Sequence, residues 1–146
     1  MKPELFILHG PNLNVLSERP ARYGQQDFMP FFHSLAEKWR SVVQLILYQS
    51  NHAGDLIDKI QWIARRKNVM GVVINAGGLS HTSVSLADAI EVLTVPVVEV
   101  HLTNIYAREP YRHTSLISSR AEVVIAGAGF EGYAWAVEWL TRQRPA

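Results

Sequence analysis

The sequence contains no cysteine. This absence excludes disulfide bonds, thiolate zinc sites and a cysteine nucleophile. It also has no block of lysine or arginine, and its formal net charge is only +1. Because nucleic acids are bound through clustered positive charge, we do not expect a nucleic acid as the main partner.

Long hydrophobic runs are missing as well. The apolar run in MKPELFILHG is too short for a signal peptide, and no window approaches the length of a membrane span. We therefore expect a cytoplasmic protein with no membrane partner. The chain has 146 residues, of which 48% are hydrophobic and 18% charged. This composition predicts one globular domain that spans residues 1–146.

Short apolar runs alternate with helical patterns five times along the chain. The predicted strands are 5–8, 42–48, 71–75, the run VPVVEV (95–100), and 121–126. The predicted helices are 29–40, 54–67, one capped by Ser80, Thr82 or Ser83 and continuing to about residue 93, and 130–142. Apolar strands joined through helices indicate an α/β fold, a flavodoxin-like three-layer sandwich with a five-stranded parallel sheet.

The predicted carboxyl ends of the strands are polar. They read HGPNLN, QSNHAGD, NAGGLSHTS and HLTN. Ligands of parallel sheets bind at this edge, near the topological switch point. Four polar segments at one edge therefore predict a ligand site there.

Residues 97–113, VVEVHLTNIYAREPYRH, carry the strongest indication of chemistry. Glu99 and His101 lie two apart, so on a strand they point to the same face. A carboxylate inside such a strand needs a partner, and this pairing would make Glu99 the orienter of a proton-donating His101. Arg108 and Arg112 follow, and two fixed positive charges near a titratable histidine suit a small anionic substrate. A satisfied histidine beside a surface ion pair remains the alternative.

Arg19 and Tyr23 lie four apart in a long polar loop before the first helix. A tyrosine is a poor base at its ordinary pKa of about 10. A neighbouring guanidinium favours the phenolate and lowers that pKa. A catalytic base is one interpretation of this pair, and a solvated surface loop is the other.

Three further patterns are weaker. GAGFEG (127–132) fits a dinucleotide-binding motif, but no strand follows it, and a tight turn with close helix–sheet packing is enough to explain it. Four histidines lie near strand ends without a metal-ligand spacing, so we do not expect a metal site. Ser80 and Ser83 beside His81 suggest helix capping, because the nucleophile motif of a hydrolase is absent.

The last predicted helix has one clear apolar face, formed by Tyr133, Ala136, Val137 and Leu140. Trp135 and Trp139 lie on a different side of it. Either they contact a partner or they pack along the flank of the helix, and the sequence leaves both open.

In combination, the motifs resemble type II 3-dehydroquinate dehydratase. The resemblance runs in collinear order from about residue 5 to 140 through HGPNLN, Arg19, Tyr23-Gly24, QSNHAGDLID, INAGGLSHTSVSLADAI, PVVEVHLTN and AREPYRH. It implies a flavodoxin-like enzyme that eliminates water from 3-dehydroquinate to give 3-dehydroshikimate, without metal, cofactor or Schiff base. It also implies a homo-oligomer, a dodecamer built as a tetramer of trimers. The same elimination serves aromatic amino acid biosynthesis through the shikimate pathway and quinate catabolism.

The resemblance implies catalytic roles for five residues. Tyr23 matches the base that removes the proton beside the ketone, and Arg19 matches the residue that holds it as phenolate. Asn12 matches the residue that positions a water on the enolate oxygen. His101 matches the acid that protonates the leaving hydroxyl, and Glu99 orients it.

Further matches concern substrate binding. Asn75, His81 and Arg112 match contacts to substrate hydroxyls, and the backbone N–H groups of Leu102 and Thr103 match the carboxylate cradle.

The resemblance implies a role for two more residues. Arg108 matches a charge on the side of the lid, and Asp88 matches a residue that reaches into the site of a neighbouring subunit.

The sequence departs from the family pattern in the loop that carries the base. The Arg19–Tyr23 spacing is one residue shorter than usual, and Arg22 could compete with Arg19 as the partner of Tyr23. Ser17 replaces the usual glycine and Thr103 the usual serine. A catalytically impaired paralog that binds dehydroquinate-like acids is therefore the alternative function.

Overall fold

A computed structural model describes residues 1–143 of the chain. Five strands form one parallel sheet in the order β2-β1-β3-β4-β5. The strands are β1 (Glu4–His9), β2 (Gln44–Gln49), β3 (Val69–Asn75), β4 (Val97–His101) and β5 (Val123–Ala126). The helices are α1 (Phe28–Trp39), α2 (Ala53–Ala64), α3 (Val84–Ile90) and α4 (Glu131–Arg142). The predicted α/β, flavodoxin-like architecture is confirmed.

Two helices cover each face of the sheet. The core on one face joins α1 and α4 to residues such as Leu5 and Ile7 of β1. The core on the other face joins α2 and α3 to Phe6 and Leu8. This alternation follows from the pleat of a strand, in which neighbouring side chains point to opposite faces. Both faces are therefore apolar, as the strand sequences predict.

Most element boundaries agree with the sequence to within two residues, and the exceptions are the carboxyl-terminal ends of α2 and α3. Helix α2 ends at Ala64, earlier than the predicted residue 67. Asn68 then adopts a left-handed conformation with φ of 65°, which turns the chain into β3 at Val69. The last apolar position of the helical pattern is Ile63, so the sequence does not specify where between Ala64 and Asn68 the helix ends.

The structure at the start of α3 shows which of the three candidate residues caps the helix. The Ser83 hydroxyl accepts a hydrogen bond from the backbone N–H of Leu86 at 3.1 Å. Ser80 is wrong as a cap, because it lies fully buried in a short 3₁₀ segment, Gly77–His81, before the helix. The helix also ends at Ile90, three residues before the predicted end.

The long loop after β1 is ordered by two short 3₁₀ segments, Leu13–Glu18 and Ala21–Tyr23. Leu13, Leu16 and Tyr23 are buried against the core. This packing fixes the loop above the carboxyl edge of the sheet. No helix among residues 1–143 combines the length and hydropathy needed to cross a bilayer.

Candidate active site

A pocket opens at the carboxyl edge of the sheet, above β1, β3 and β4. It is a small and mainly polar pocket, with a cavity volume of about 120 Å³. Of the residues predicted for the site, those that line it are Asn12, Arg19, Tyr23, Asn75, His81, His101, Leu102, Thr103, Arg108 and Arg112. The fold thus brings together side chains that are far apart in the sequence.

Glu99 lies directly behind this pocket, in the middle of β4. Its side chain is fully buried and accepts a hydrogen bond from His101 Nε2. A carboxylate in this state only accepts, so His101 donates from Nε2 and keeps Nδ1 available to the pocket. The predicted Glu99–His101 pairing is therefore present.

Two serines that the sequence analysis missed complete the surroundings of Glu99. Ser115 Oγ donates to Oε2 at 2.6 Å, and Ser118 Oγ donates to Oε1 at 2.5 Å. Burial raises the pKa of the Glu99 carboxyl, but the hydrogen bonds from His101 and the two serines more than offset this effect and hold its pKa below the ordinary value. A buried carboxylate needs more hydrogen-bond donors than one histidine supplies. The sequence could therefore have predicted that further donors contact Glu99, but not which residues they are.

Tyr23 is largely buried beside the pocket and is surrounded by guanidinium groups. The Cζ atoms of Arg19, Arg108 and Arg22 lie 3.7, 5.1 and 5.2 Å from the centroid of its ring. Burial raises the pKa of the phenol, but Arg108 and Arg22 acting on its oxygen, together with the charges of Arg19 and Arg108, lower the pKa below its ordinary value. The shorter loop still places Arg19 against Tyr23.

Arg108 takes a more buried position than a charge at the edge of a lid. Its Nη1 donates to Thr103 Oγ1 at 3.1 Å. Its Nη2 is buried and has no hydrogen-bond partner among the described residues. An unmatched donor of this kind suits an anionic ligand. The second guanidinium of this segment, Arg112, donates from Nε to Glu109 Oε2 at 2.5 Å.

Asn75 and His81 are held by their own partners. Asn75 Nδ2 donates to the Tyr133 hydroxyl at 2.9 Å, and Asn75 Oδ1 accepts from the Gly77 N–H at 3.1 Å. His81 Nδ1 hydrogen bonds to the Thr114 carbonyl at 2.8 Å, which requires a proton on Nδ1 and leaves Nε2 available to the pocket. Both residues are thus fixed before a ligand binds.

Asn12 lies at the turn that follows β1. Its backbone has φ of 71°, a left-handed conformation that asparagine tolerates better than most residues. The Asn12 N–H donates to Asn51 Oδ1 at 3.0 Å, and Gln49 Nε2 donates to the same oxygen at 3.1 Å. The polar segment after β2 therefore does not line the pocket as expected; it holds Asn12 in place.

Asp88 is the one predicted substrate-binding residue that lies away from the pocket. It sits on α3 with an exposed side chain, 3.4 Å from Arg120. Its predicted role belongs to the site of a neighbouring subunit, so it stays a prediction.

The remaining motifs have structural explanations. In GAGFEG, a Cβ on Gly132 would lie 3.2 Å from Ile125 Cγ2 and 3.3 Å from Val100 Cγ1, so α4 packs closely on the sheet. Gly127 and Gly129 have φ of 94° and 58°, as a tight turn requires. The motif is used for packing. No group of three His, Asp or Glu side chains within residues 1–143 is arranged to hold a metal ion.

The two tryptophans of α4 have different surroundings. Trp139 packs against the core that joins α1 and α4 to the sheet, whereas Trp135 is 53% exposed. Packing along the flank is therefore correct for Trp139, and contact with a partner stays a prediction for Trp135.

Nearly the whole chain matches one protein family. The family model described as Dehydroquinase class II matches residues 3–141. The chain belongs to the class II dehydroquinase family. The matched range includes every predicted site residue, from Asn12 to Arg112.

Individual relatives support this assignment. The chain is 43% identical over 144 residues to a protein of Bacillus subtilis named 3-dehydroquinate dehydratase, covering 97% of this chain and 96% of the relative. It is 39% identical over 145 residues to a protein of that name from Herpetosiphon aurantiacus, covering 98% and 99%. The crystal structure of a type II dehydroquinase from Propionibacterium acnes superposes with a TM-score of 0.91 at 33% identity, covering 98% of this chain and 99% of the other.

Proposed function

We propose that this protein is a 3-dehydroquinate dehydratase that eliminates water from 3-dehydroquinate through an enolate. The observation that carries the proposal is the arrangement of two proton-transfer groups around one pocket. Tyr23 lies among guanidinium groups, and His101 is held by a buried Glu99. Family membership and the names of the relatives point to the same reaction.

The first step is removal of a proton from C2, beside the ketone. The Tyr23 phenolate takes this proton, and the electron pair of the broken bond becomes the enolate. The guanidinium charges around Tyr23 lower the pKa of the phenol and so favour the phenolate. Asn12 holds a water against the developing enolate oxygen, which stabilises the charge where it forms.

The second step is loss of the C1 hydroxyl. The enolate electrons re-form the ketone and a carbon–carbon double bond, and His101 gives a proton to the departing oxygen so that it leaves as water. Glu99 orients the imidazole and stabilises its cation. These steps use acid–base groups alone, and we propose that the reaction requires no cofactor or metal.

Substrate binding falls to the polar wall of the pocket. Asn75, His81 and Arg112 contact the hydroxyl groups, and the backbone N–H groups of Leu102 and Thr103 cradle the carboxylate at the end of β4. The unmatched Nη2 of Arg108 adds positive charge for the anion.

We propose that one catalytic domain spans residues 1–146. We also propose that the protein acts in the cytoplasm and has neither nucleic acid nor membrane as a partner.

The working form is a homo-oligomer, and we propose a dodecamer. Asp88 is exposed on α3 and lies outside the pocket of its own chain, which suits a contact to a neighbouring subunit. Light scattering coupled to gel filtration measures the assembly directly. A dodecameric mass supports this assignment, and a monomer with full activity would contradict the role of Asp88.

The activity is tested by mixing the purified protein with 3-dehydroquinate in EDTA. The product is a conjugated enone, so ultraviolet absorbance should rise with time. Rapid metal-independent turnover is the expected result. Absence of turnover, with the substrate still raising the melting temperature, would instead favour the impaired paralog.

A further inference from the structure

Tyr23 lines two cavities. One is the substrate pocket, which Arg19 and Arg108 line together with Tyr23. The other is also lined by Tyr23, together with Arg22, Phe31 and the start of α4. Of the described residues, only Tyr23 and Leu102 line both cavities. Arg22 therefore approaches the tyrosine from outside the substrate pocket.

The charge around Tyr23 is poorly balanced by carboxylates. Among residues 1–143, neither Arg19 nor Arg22 has a carboxylate within salt-bridge distance. The carboxylate nearest to Arg108 is Glu109, at 4.0 Å, and Glu109 pairs more closely with Arg112. The protein thus surrounds the phenol with excess positive charge, which favours the phenolate.

The three guanidinium groups do not act from equivalent positions. Arg19 Cζ lies 3.7 Å from the ring centroid, a distance typical of stacking on the ring face. Arg108 and Arg22 lie farther from the centroid, at 5.1 and 5.2 Å, and both lower the pKa of the phenol. In the shortened loop, Arg22 directly precedes Tyr23, so its backbone is fixed to that of the tyrosine.

We propose that Arg22 is a positioning residue that favours the phenolate form of Tyr23 from outside the substrate pocket. This inference rests on the proposed function. It assigns to Arg22 part of the role that the family pattern gives to Arg19 alone. Because Arg22 does not line the pocket, it acts on the proton-abstraction step through Tyr23 and leaves substrate affinity largely unaffected.

Other charged or titratable groups also face Tyr23 or the cavities beside it. They are Arg19, Arg108, Arg112, His81, His101 and Glu131. None of these is altered when Arg22 is substituted, so a matched comparison isolates its contribution. Arg40 supplies the control, because it is an exposed arginine at the end of α1 whose ion pair is with Glu37.

The test compares pH profiles of kcat for Arg22→Gln, Arg22→Lys and Arg40→Gln. Loss of the Arg22 charge should move the acidic limb upward by about 0.5 to 1 pH unit, as expected for a partly exposed charge at this distance. The KM should change less than about twofold, because Arg22 lies outside the pocket. Arg22→Lys should restore most of the wild-type profile, and Arg40→Gln should match wild type throughout.

A second readout does not depend on turnover. The near-ultraviolet absorbance of tyrosinate is titrated in the wild type and in Arg22→Gln, each minus the same protein carrying Tyr23→Phe. An upward shift of the Tyr23 titration in Arg22→Gln supports the inference even if 3-dehydroquinate is not a substrate. Unchanged titration and pH profiles in Arg22→Gln would overturn it, whatever the activity.

Discussion

The Glu99 carboxylate accepts hydrogen bonds on both oxygens, from His101, Ser115 and Ser118. Replacing Glu99 with glutamine substitutes an NH₂ group, which is a donor, for one of the two carboxylate oxygens that accept these hydrogen bonds. The amide oxygen can still accept from His101, but His101 loses the negative charge that stabilises its protonated form.

We therefore expect Glu99→Gln to lower kcat by about 100-fold with a smaller change in KM. Steady-state kinetics with 3-dehydroquinate measure both parameters. Glu37→Gln, on the exposed side of α1, is the control and should retain wild-type kcat. A wild-type kcat in Glu99→Gln would show that the pair serves packing rather than chemistry.

Individual residues of the site differ in how far the sequence reveals them. Glu99 and His101 are two apart on one strand, so their contact follows from the pleat. Ser115 and Ser118 reach Glu99 from an irregular segment 16 and 19 residues later, and no local periodicity specifies that approach. Sequence resemblance identified the family, but the contacts that hold the machinery required the fold.

At the scale of elements, β1 and β3 end in loops whose backbones nearly touch. A Cβ on Gly10 would lie 2.3 Å from the Ala76 carbonyl oxygen, too close for any side chain. Because backbone cannot move aside as a flexible side chain can, Gly10→Ala should lower the free energy of unfolding by about 1–3 kcal/mol.

Gly54 provides the matched control for this substitution. It lies near the start of α2 and is exposed, and a Cβ added there would have no atom within 4 Å. Gly54→Ala should leave the free energy of unfolding unchanged or raise it by up to about 1 kcal/mol. Denaturant titration of both variants measures the difference. Equal effects would contradict the close approach of the two loops.

The elements themselves were largely predictable, because apolar periodicity determines which face of each helix and strand is buried. Helix ends were less predictable. The apolar pattern of α2 stops at Ile63, so it does not specify that the helix ends at Ala64, before the chain turns at Asn68 to enter β3. Three hydroxyl residues could cap α3, and only the tertiary position of the Gly77–His81 turn selects Ser83.

At the scale of the whole molecule, buried groups make stability depend on pH. His9 lies at the end of β1 beside the rings of Phe28 and Tyr133, and burial lowers its pKa from 6.5 to about 3. The folded state therefore resists a proton that the unfolded chain accepts. The contribution of His9 to the free energy of unfolding should be constant above pH 6.5 and should fall as the pH drops below it, by up to about 1.4 kcal/mol per pH unit.

His9→Gln should flatten this dependence between about pH 6.5 and 5, whatever its effect on stability at neutral pH. Glu99 also favours folding less as its carboxylate is protonated, but that loss occurs at lower pH because its folded-state pKa is depressed. Denaturant titrations at several pH values separate the two. An unchanged slope in His9→Gln would show that His9 does not govern acid destabilisation.

In the proposed mechanism, Tyr23 is the base that removes the C2 proton and His101 is the acid that protonates the leaving hydroxyl. The most direct measurement follows 3-dehydroquinate by NMR in deuterium oxide with Tyr23→Phe and His101→Ala. Without the acid, Tyr23 can still remove the C2 proton, so His101→Ala should exchange that proton for deuterium while forming little enone. Tyr23→Phe should show neither exchange of the C2 proton nor formation of the enone above background. Exchange at the wild-type rate in Tyr23→Phe would contradict the assignment of Tyr23 as the base.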